Sequence, residues 1–286
     1  MRNRYPGPCR TCGANVAAEA GVVVKEDARW RTYCAEHEPR PTPPPRGDHL
    51  GWHTLDLAGY DCETSSNNPR EAFLVSAALV DSAGAARTWL VDPGEQEIPA
   101  EAIAVHGITT ERARAEGMPA GDALTEIADT LAALLTAGTG LTIFNAPYDL
   151  GVLDAELARR GMKSLAERMG APPGPIVDPL VIDRGVDPFR RGPRNLGAMC
   201  AFYGVELRDA HTATADAAAA LAVAREIGAR RPEIAALTLA DLHERQIAWA
   251  DDYVRSRQEW LTRRNPGQAA KVEGGWPIAV SPSHSV

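Results

Sequence analysis

From about residue 52 the chain alternates short apolar runs with polar turns. Residues 54–62, with Leu55, Leu57, Ala58 and Tyr60, read as a strand. Residues 72–81, with Leu74, Val75, Leu79 and Val80, read as a second, and 86–91 as a third after the Ser82-Ala83-Gly84 turn. Short strands joined by tight turns predict an antiparallel meander. The period then changes to that of a helix. Residues 99–106 predict a short helix closed by Gly107, and 122–137 align Leu124, Ile127, Ala128, Leu131, Leu134 and Leu135 on one stripe. A buried strand is expected at 141–144, then a helix at 147–160 with Pro147 in its first turn, where proline is tolerated. Ile176-Val177 suits a short strand, and further helices are expected at 194–203, 213–230 and 238–262. Strands first, then alternating helices and strands, predict an α/β fold: a mixed sheet with helices on both faces. No internal repeat is visible.

Composition divides the chain. Residues 1–40 hold three of the five cysteines and predict a small module of their own. Residues 41–50 form a stiff linker that includes Pro41, Pro43, Pro44 and Pro45. The main domain is expected over 51–231, a helical extension over 232–264 and a loose, Gly- and Pro-bearing tail over 265–286. A hydrophobic share of 44% and a charged share of 24% are those of an ordinary globular protein. No apolar run approaches the roughly 18 residues of a membrane span, and no membrane partner is expected. Met1-Arg2-Asn3-Arg4-Tyr5-Pro6 has no apolar stretch behind its arginines, so no signal peptide and a cytoplasmic location are expected. An odd number of unevenly placed cysteines argues against a disulfide framework. The net charge of −8 excludes a protein that coats nucleic acid through a general positive field. A polyanion would have to be handled locally, by metals and a few arginines.

Chemistry concentrates in three places. Asp61 and Glu63, in Tyr60-Asp61-Cys62-Glu63-Thr64, point to one face of a strand about 7 Å apart. Two acids at a buried strand end are costly without a cation, and a hard ion such as Mg²⁺ or Mn²⁺ suits them. Asp149 lies in the first turn of the helix that follows the 141–144 strand, a junction where α/β sheets carry their sites. His211 and Asp216 open the Ala-rich helix at 213–230. Taken singly, each has an ordinary explanation: Asp149 and Asp216 as first-turn charges complementing a helix dipole, His211 as a loop residue.

In this order the motifs resemble the DEDD superfamily of 3′→5′ exonucleases, in its histidine branch, DEDDh. Position 212 is Thr, where the tyrosine branch would carry Tyr. The Val105-His106-Gly107-Ile108-Thr109 run, Val177-Asp178-Pro179-Leu180, and Asn195-Leu196 through Cys200 are similar to members related to the proofreading epsilon subunit of bacterial DNA polymerase III. The resemblance implies an RNase H-like fold with a five-stranded mixed sheet. It also implies hydrolysis at the 3′ ends of single-stranded DNA or RNA, with DNA favoured, by two Mg²⁺ or Mn²⁺ ions. Asp61 would bridge both ions, Glu63 and Asp216 would complete the water-side ion, and Asp149 would serve the leaving-group ion through water. His211 would be the general base, a task that imidazole side chains suit near neutral pH. Thr64, His106 and Asn145 are candidate substrate contacts; His106 equally suits a helix C-cap, and Asn145 a turn. Arg184, Arg190, Arg191, Arg194 and Arg208 either line the strand path or form a solvated surface. Two departures stand out: Ser65-Ser66-Asn67-Asn68 where the family commonly has Gly, and Tyr148 where Phe is usual. Proofreading, DNA repair and RNA trimming all remain open, as does a non-catalytic nucleic-acid-binding or scaffold role on the same fold. The 238–262 helix either docks a protein partner or packs on the core.

The amino-terminal module has its own signature. Cys9-x₂-Cys12 and Cys34-x₂-His37 are two ligand pairs suited to one tetrahedral, structural Zn²⁺. Forty residues build too small a core to stand alone.

Overall fold

The computed structural model describes residues 1–39, 41–267 and 271–278. The chain divides into two compact units, Met1–Thr42 and Pro43–Val286. The first unit consists of two small hairpins. β1 (Gly7–Pro8) pairs antiparallel with β2 (Asn15–Val16), and β3 (Gly21–Glu26) pairs antiparallel with β4 (Arg29–Cys34). A short 3₁₀ turn, Ala35–His37, follows β4.

The second unit is built on a mixed sheet. Its meander is β5 (Leu57–Thr64), β6 (Leu74–Val80) and β7 (Ala86–Asp92), all antiparallel. Two short helices follow, α1 (Ala100–His106) and α2 (Thr110–Glu116). Gly107 ends α1 in the left-handed region at φ 73°, which a side chain rarely adopts. The strand β8 (Met118–Pro119) leads into α3 (Ala120–Thr136). Next come β9 (Gly140–Thr142), α4 (Ala146–Arg159) and α5 (Leu165–Met169), the last with a Ser164–Glu167 capping box. The chain continues through β10 (Ile176–Val177), α6 (Pro179–Val186), α7 (Leu196–Tyr203) and α8 (Ala213–Arg230). It closes with α9 (Pro232–Ala235) and α10 (Leu239–Arg264).

The sheet order is β10-β9-β5-β6-β7-β8, with β5 parallel to β9 and β9 parallel to β10. Six strands stand where five were expected, because the two-residue β8 adds parallel pairs to Val91 and Asp92 at the edge. The first strand begins at Leu57 rather than 54. Trp52–Thr54 instead form a 3₁₀ turn that buries Trp52, whose Nε1 donates to the Ile234 carbonyl at 3.0 Å.

Alternation along β5 gives the sheet two unlike faces. Ala58, Tyr60 and Cys62 join the core made with α3 and α4, including Leu124, Ile127, Leu150 and Leu153. Leu57 belongs to the opposite core, with Ala224 and Ile227 of α8 and Met199 and Tyr203 of α7. On that side α8 lies against the strand itself. A Cβ at Gly59 would meet the Ala217 carbonyl oxygen at 2.3 Å. Glycine on the strand and small residues on the helix (Ala217, Ala220, Ala224) permit this approach.

Gln246 and Trp276 are held more firmly than the composition around them suggests. Gln246 of α10 is fully buried; its Nε2 donates to the Ile176 carbonyl at 2.9 Å and its Oε1 accepts the Asp178 N–H at 2.7 Å. Trp276, within the expected tail, is buried against the core formed with α3 and α4. Residues 268–270 and 279–286 of that tail lie outside the described residues. Among the described residues, no helix is long and apolar enough to cross a membrane.

Candidate active site

Asp61 and Glu63 are in phase with Leu57 and Gly59, so they face α8 at the carboxyl end of the central strand. The Gly59–Ala217 approach brings the first turn of α8 to the same place, and Asp216 with it. Asp61, Glu63 and Asp216 each place a carboxylate oxygen within 4.8 Å of the other two. Thr212 caps α8 by accepting the Ala215 N–H at 3.4 Å, which fixes where that turn begins.

Three acids this close resist ionising together. Burial first, then the charges of Asp149, Asp216 and Glu63, push Asp61 well above the usual carboxylate range. Burial and Asp216 push Glu63 to about 7, opposed by the imidazole of His211. Burial raises Asp216 as well, opposed by the backbone N–H and ring of His211. Asp216 Oδ1 is buried and has no hydrogen-bond partner among the described residues. Hard oxygen donors, mutual repulsion and an unpartnered buried oxygen together fit a divalent cation of the Mg²⁺ or Mn²⁺ class.

Asp149 stands apart from the three. It approaches from α4, the other face of the sheet, and its Oδ1 accepts the backbone N–H of Cys62 at 3.0 Å and the Cys62 thiol at 3.2 Å. Burial pushes it to about 7, against the lowering effect of those two bonds. It still lines the same open cavity of about 590 Å³ as Asp61, Glu63 and Asp216. The alternation of β5 explains the separation: Cys62 faces α4, while its neighbours on either side face α8.

Asn145 holds a turn. It lies in the left-handed region at φ 65° before α4, and its side chain makes no cap bond. Its N–H donates to Asp178 Oδ1 at 3.1 Å, and Ala146 N–H donates to Asp178 Oδ2 at 3.0 Å. Asp178 also accepts the Leu180 N–H at 3.0 Å as cap of α6 and the Trp276 Nε1–H at 3.3 Å. A fully buried carboxylate thus ties the starts of α4 and α6 to the distal Trp276. Nothing near Trp276 in the sequence signals this link.

His211 is exposed and left-handed, at φ 68°, on the loop before α8. It lines a smaller cavity of about 230 Å³ with Glu63 and His106. His106 is buried at the end of α1; its Nδ1 accepts the Ile108 N–H at 3.1 Å, so the capping role is present. Its Nε2 is buried without a partner among the described residues, and burial lowers its pKa. Thr64 sits at a register shift at the end of β5. Its Oγ1 contacts the Tyr148 hydroxyl, and that hydroxyl donates to the Ser66 carbonyl at 2.5 Å. The two departures from the family pattern therefore meet: Tyr148 clasps the Thr64–Ser66 segment. Thr64, Ser66, His106 and Tyr148 line a further cavity of about 550 Å³.

The arginines split. Arg190 is buried and donates Nε and Nη2 to Asp183, which also accepts Arg194 Nε at 2.6 Å and the Tyr203 hydroxyl at 2.7 Å. Arg208 pairs with Glu206. Arg184 and Arg194 line the acidic cavity, Arg184 also stacking over Tyr253 at 4.1 Å. In the first unit, Cys9, Cys12, Cys34 and His37 gather their ligand atoms within 4.8 Å of one another.

The family model RNase_T, described as Exonuclease, matches residues 59–224. No relative was found among curated protein sequences. Exonuclease I of E. coli in complex with a dT13 oligonucleotide is 20% identical with a TM-score of 0.50, over 72% of this chain and 44% of that one. The zinc-ion-bound E. coli Exonuclease I–ssDNA complex is 21% identical at a TM-score of 0.52, over 63% and 42%. A moderately thermophilic Exonuclease I from Methylocaldum szegediense is 22% identical at 0.53, over 74% and 46%. This chain spans less than half the length of those enzymes, and the likeness is one of fold.

Proposed function

This chain belongs to the RNase_T exonuclease family, and we propose that it removes nucleotides from the 3′ end of single-stranded nucleic acid, DNA in preference to RNA, by metal-assisted hydrolysis. The observation that carries the reading is the carboxylate cluster of Asp61, Glu63 and Asp216, with Asp149 across the strand on the same cavity. Asp61, Glu63 and Asp216 would hold one divalent ion, and Asp61 with Asp149 a second. Bound there, Mg²⁺ or Mn²⁺ neutralises charge on the attacking and leaving oxygens. His211, which acts electrostatically on both Glu63 and Asp216, takes a proton on an imidazole nitrogen from the attacking water. Arg184 and Arg194, on the cavity wall, suit donation to phosphate oxygens of the strand. His106, through its unpartnered Nε2, and the Thr64 backbone would steady the terminal nucleotide.

Single-stranded DNA is favoured because the similar Exonuclease I structures hold such strands, and the net charge of −8 disfavours broad duplex coating. The His106-Gly107-Ile108-Thr109 run supports a likeness to the epsilon group within the family. The test uses 5′-labelled single strands of DNA and RNA with Mg²⁺ or Mn²⁺. A ladder shortening stepwise from the 3′ end is expected for the wild type. For His211→Ala a loss of roughly 10²–10⁴ in turnover is expected, with strand binding retained. Internal cuts, or unchanged turnover in that variant, would reject the reading.

A further inference from the structure

The first unit buries very little. Its apolar core is Cys9, Val16, Val22 and Tyr33, with Val24 and Cys34 against it. Apolar burial on that scale cannot hold two hairpins of a few residues each. What the unit does concentrate is soft donor atoms. Cys9 and Cys12 stand on the turn after β1, which Gly13 closes: its N–H donates to the Cys9 carbonyl at 2.9 Å, and its φ of 73° is one a side chain rarely adopts. Cys34 ends β4, and His37 lies on the 3₁₀ turn that follows. Cys12 Sγ is 4.0 Å from Cys34 Sγ, and Cys34 Sγ is 3.1 Å from His37 Nδ1. In a tetrahedral site with zinc–sulfur bonds of about 2.3 Å, ligand atoms stand roughly 3.5–3.8 Å apart, a spacing these two distances bracket. All four side chains are on turns or strand ends, and the three cysteines are free thiols.

We infer that Cys9, Cys12, Cys34 and His37 bind one zinc ion, His37 through Nδ1, and that this ion, more than apolar burial, keeps residues 1–42 folded. Three sulfurs and an imidazole select Zn²⁺ over Mg²⁺ or Mn²⁺, which prefer the oxygen donors of the other unit. Four protein ligands leave no open position, so the site is structural, not catalytic. The surrounding backbone is already arranged for anionic sulfur. Cys34 N–H donates to Cys9 Sγ at 3.5 Å. The inference is independent of the nuclease reading.

The test uses the full chain purified without chelators. Metal analysis is expected to find about one zinc per chain, retained in Asp61→Asn and lost in Cys12→Ser. His37→Cys, which keeps four soft ligands, is expected to retain it. Exchange into Co²⁺ is expected to give thiolate charge-transfer absorption, absent from Cys12→Ser. Trypsin is expected to cut within 1–42 at least tenfold faster after zinc is withdrawn. A chain that holds no zinc and takes none up at one equivalent would overturn the inference. So would zinc that persists in Cys12→Ser but vanishes in Asp61→Asn, or trypsin protection that survives zinc removal.

Discussion

The two units of this chain both gather metal-type side chains, and they do so in opposite ways. In Pro43–Val286 a large apolar core forms the sheet, and the core then forces Asp61, Glu63 and Asp216 together at a strand end. Burial raises the pKa of all three carboxylates, which marks them as a cost to that fold. In Met1–Thr42 the ligands themselves are the centre of the structure, and Cys9 is a core residue. The first arrangement gathers hard oxygen donors on the cavity where the proposed chemistry needs charge. The second places soft ligands where burial is too small. The contrast teaches that a cluster of ligands reads as reactive or structural according to what else the unit has to fold around.

The sharpest way to test this contrast is Asp61→Asn. Activity on labelled single strands is expected to fall by on the order of 10²–10³ or more, as when a preorganised charge is removed from a reacting centre. Folding, followed by circular dichroism, is expected to hold, since one repelling carboxylate is gone. A variant that unfolds instead would make the acids part of the scaffold and erase the contrast. Gly59→Ala strikes the same cluster through the backbone. Its Cβ would clash with the Ala217 carbonyl, a position without slack, so a loss of about 1–3 kcal/mol is expected in denaturant titration. Activity is expected to fall further than stability accounts for, because α8 carries Asp216, while zinc content stays unchanged.

Titration gives a third handle. Glu63 and Asp149 are held near 7 in the fold, against about 4 for the unfolded side chains. Between those values the folded state binds more protons, so without divalent ions stability is expected to fall as pH rises from about 4 to about 7. Mg²⁺ offsets the repulsion, so the difference in Tm between Mg²⁺ and chelator for the second unit is expected to widen over that window. A gap that stays constant with pH would mean the carboxylates are not the groups involved. The smallest effect expected is that of Tyr148→Phe, which removes the hydroxyl clasp on Thr64 and Ser66. A rise in KM worth roughly 0.5–1.5 kcal/mol is expected, with little change in kcat. An unchanged KM would leave the clasp with no part in holding the strand end.

Much of the second unit was legible because its signals are local. The 213–230 helix and the stripe of 122–137 follow from the 3.6-residue period, and the meander from turns and short apolar runs. The first strand was misjudged at its start, because Leu55 looks like strand but follows a 3₁₀ turn set by buried Trp52. The arginines of 184–208 looked alike in sequence. The structure commits Arg190 to buried Asp183 and leaves Arg184 on the cavity wall. Trp276 gave no signal at all, since its partner Asp178 lies 98 residues away.

By itself, then, the sequence determined the residue types and their order: Asp61 and Glu63 on one strand face, Asp149 and Asp216 in first turns, and two soft pairs at the start. Those features depend on neighbours within a few positions, where strand and helix periods are fixed by backbone geometry. Only the tertiary structure decided that Asp216 joins Asp61 and Glu63 while Asp149 is held on Cys62. That choice depends on α8 and α4 reaching opposite faces of β5, and on a glycine letting one helix come closer. Such contacts join residues far apart in the chain, and the two cores on either side of the sheet set their distance.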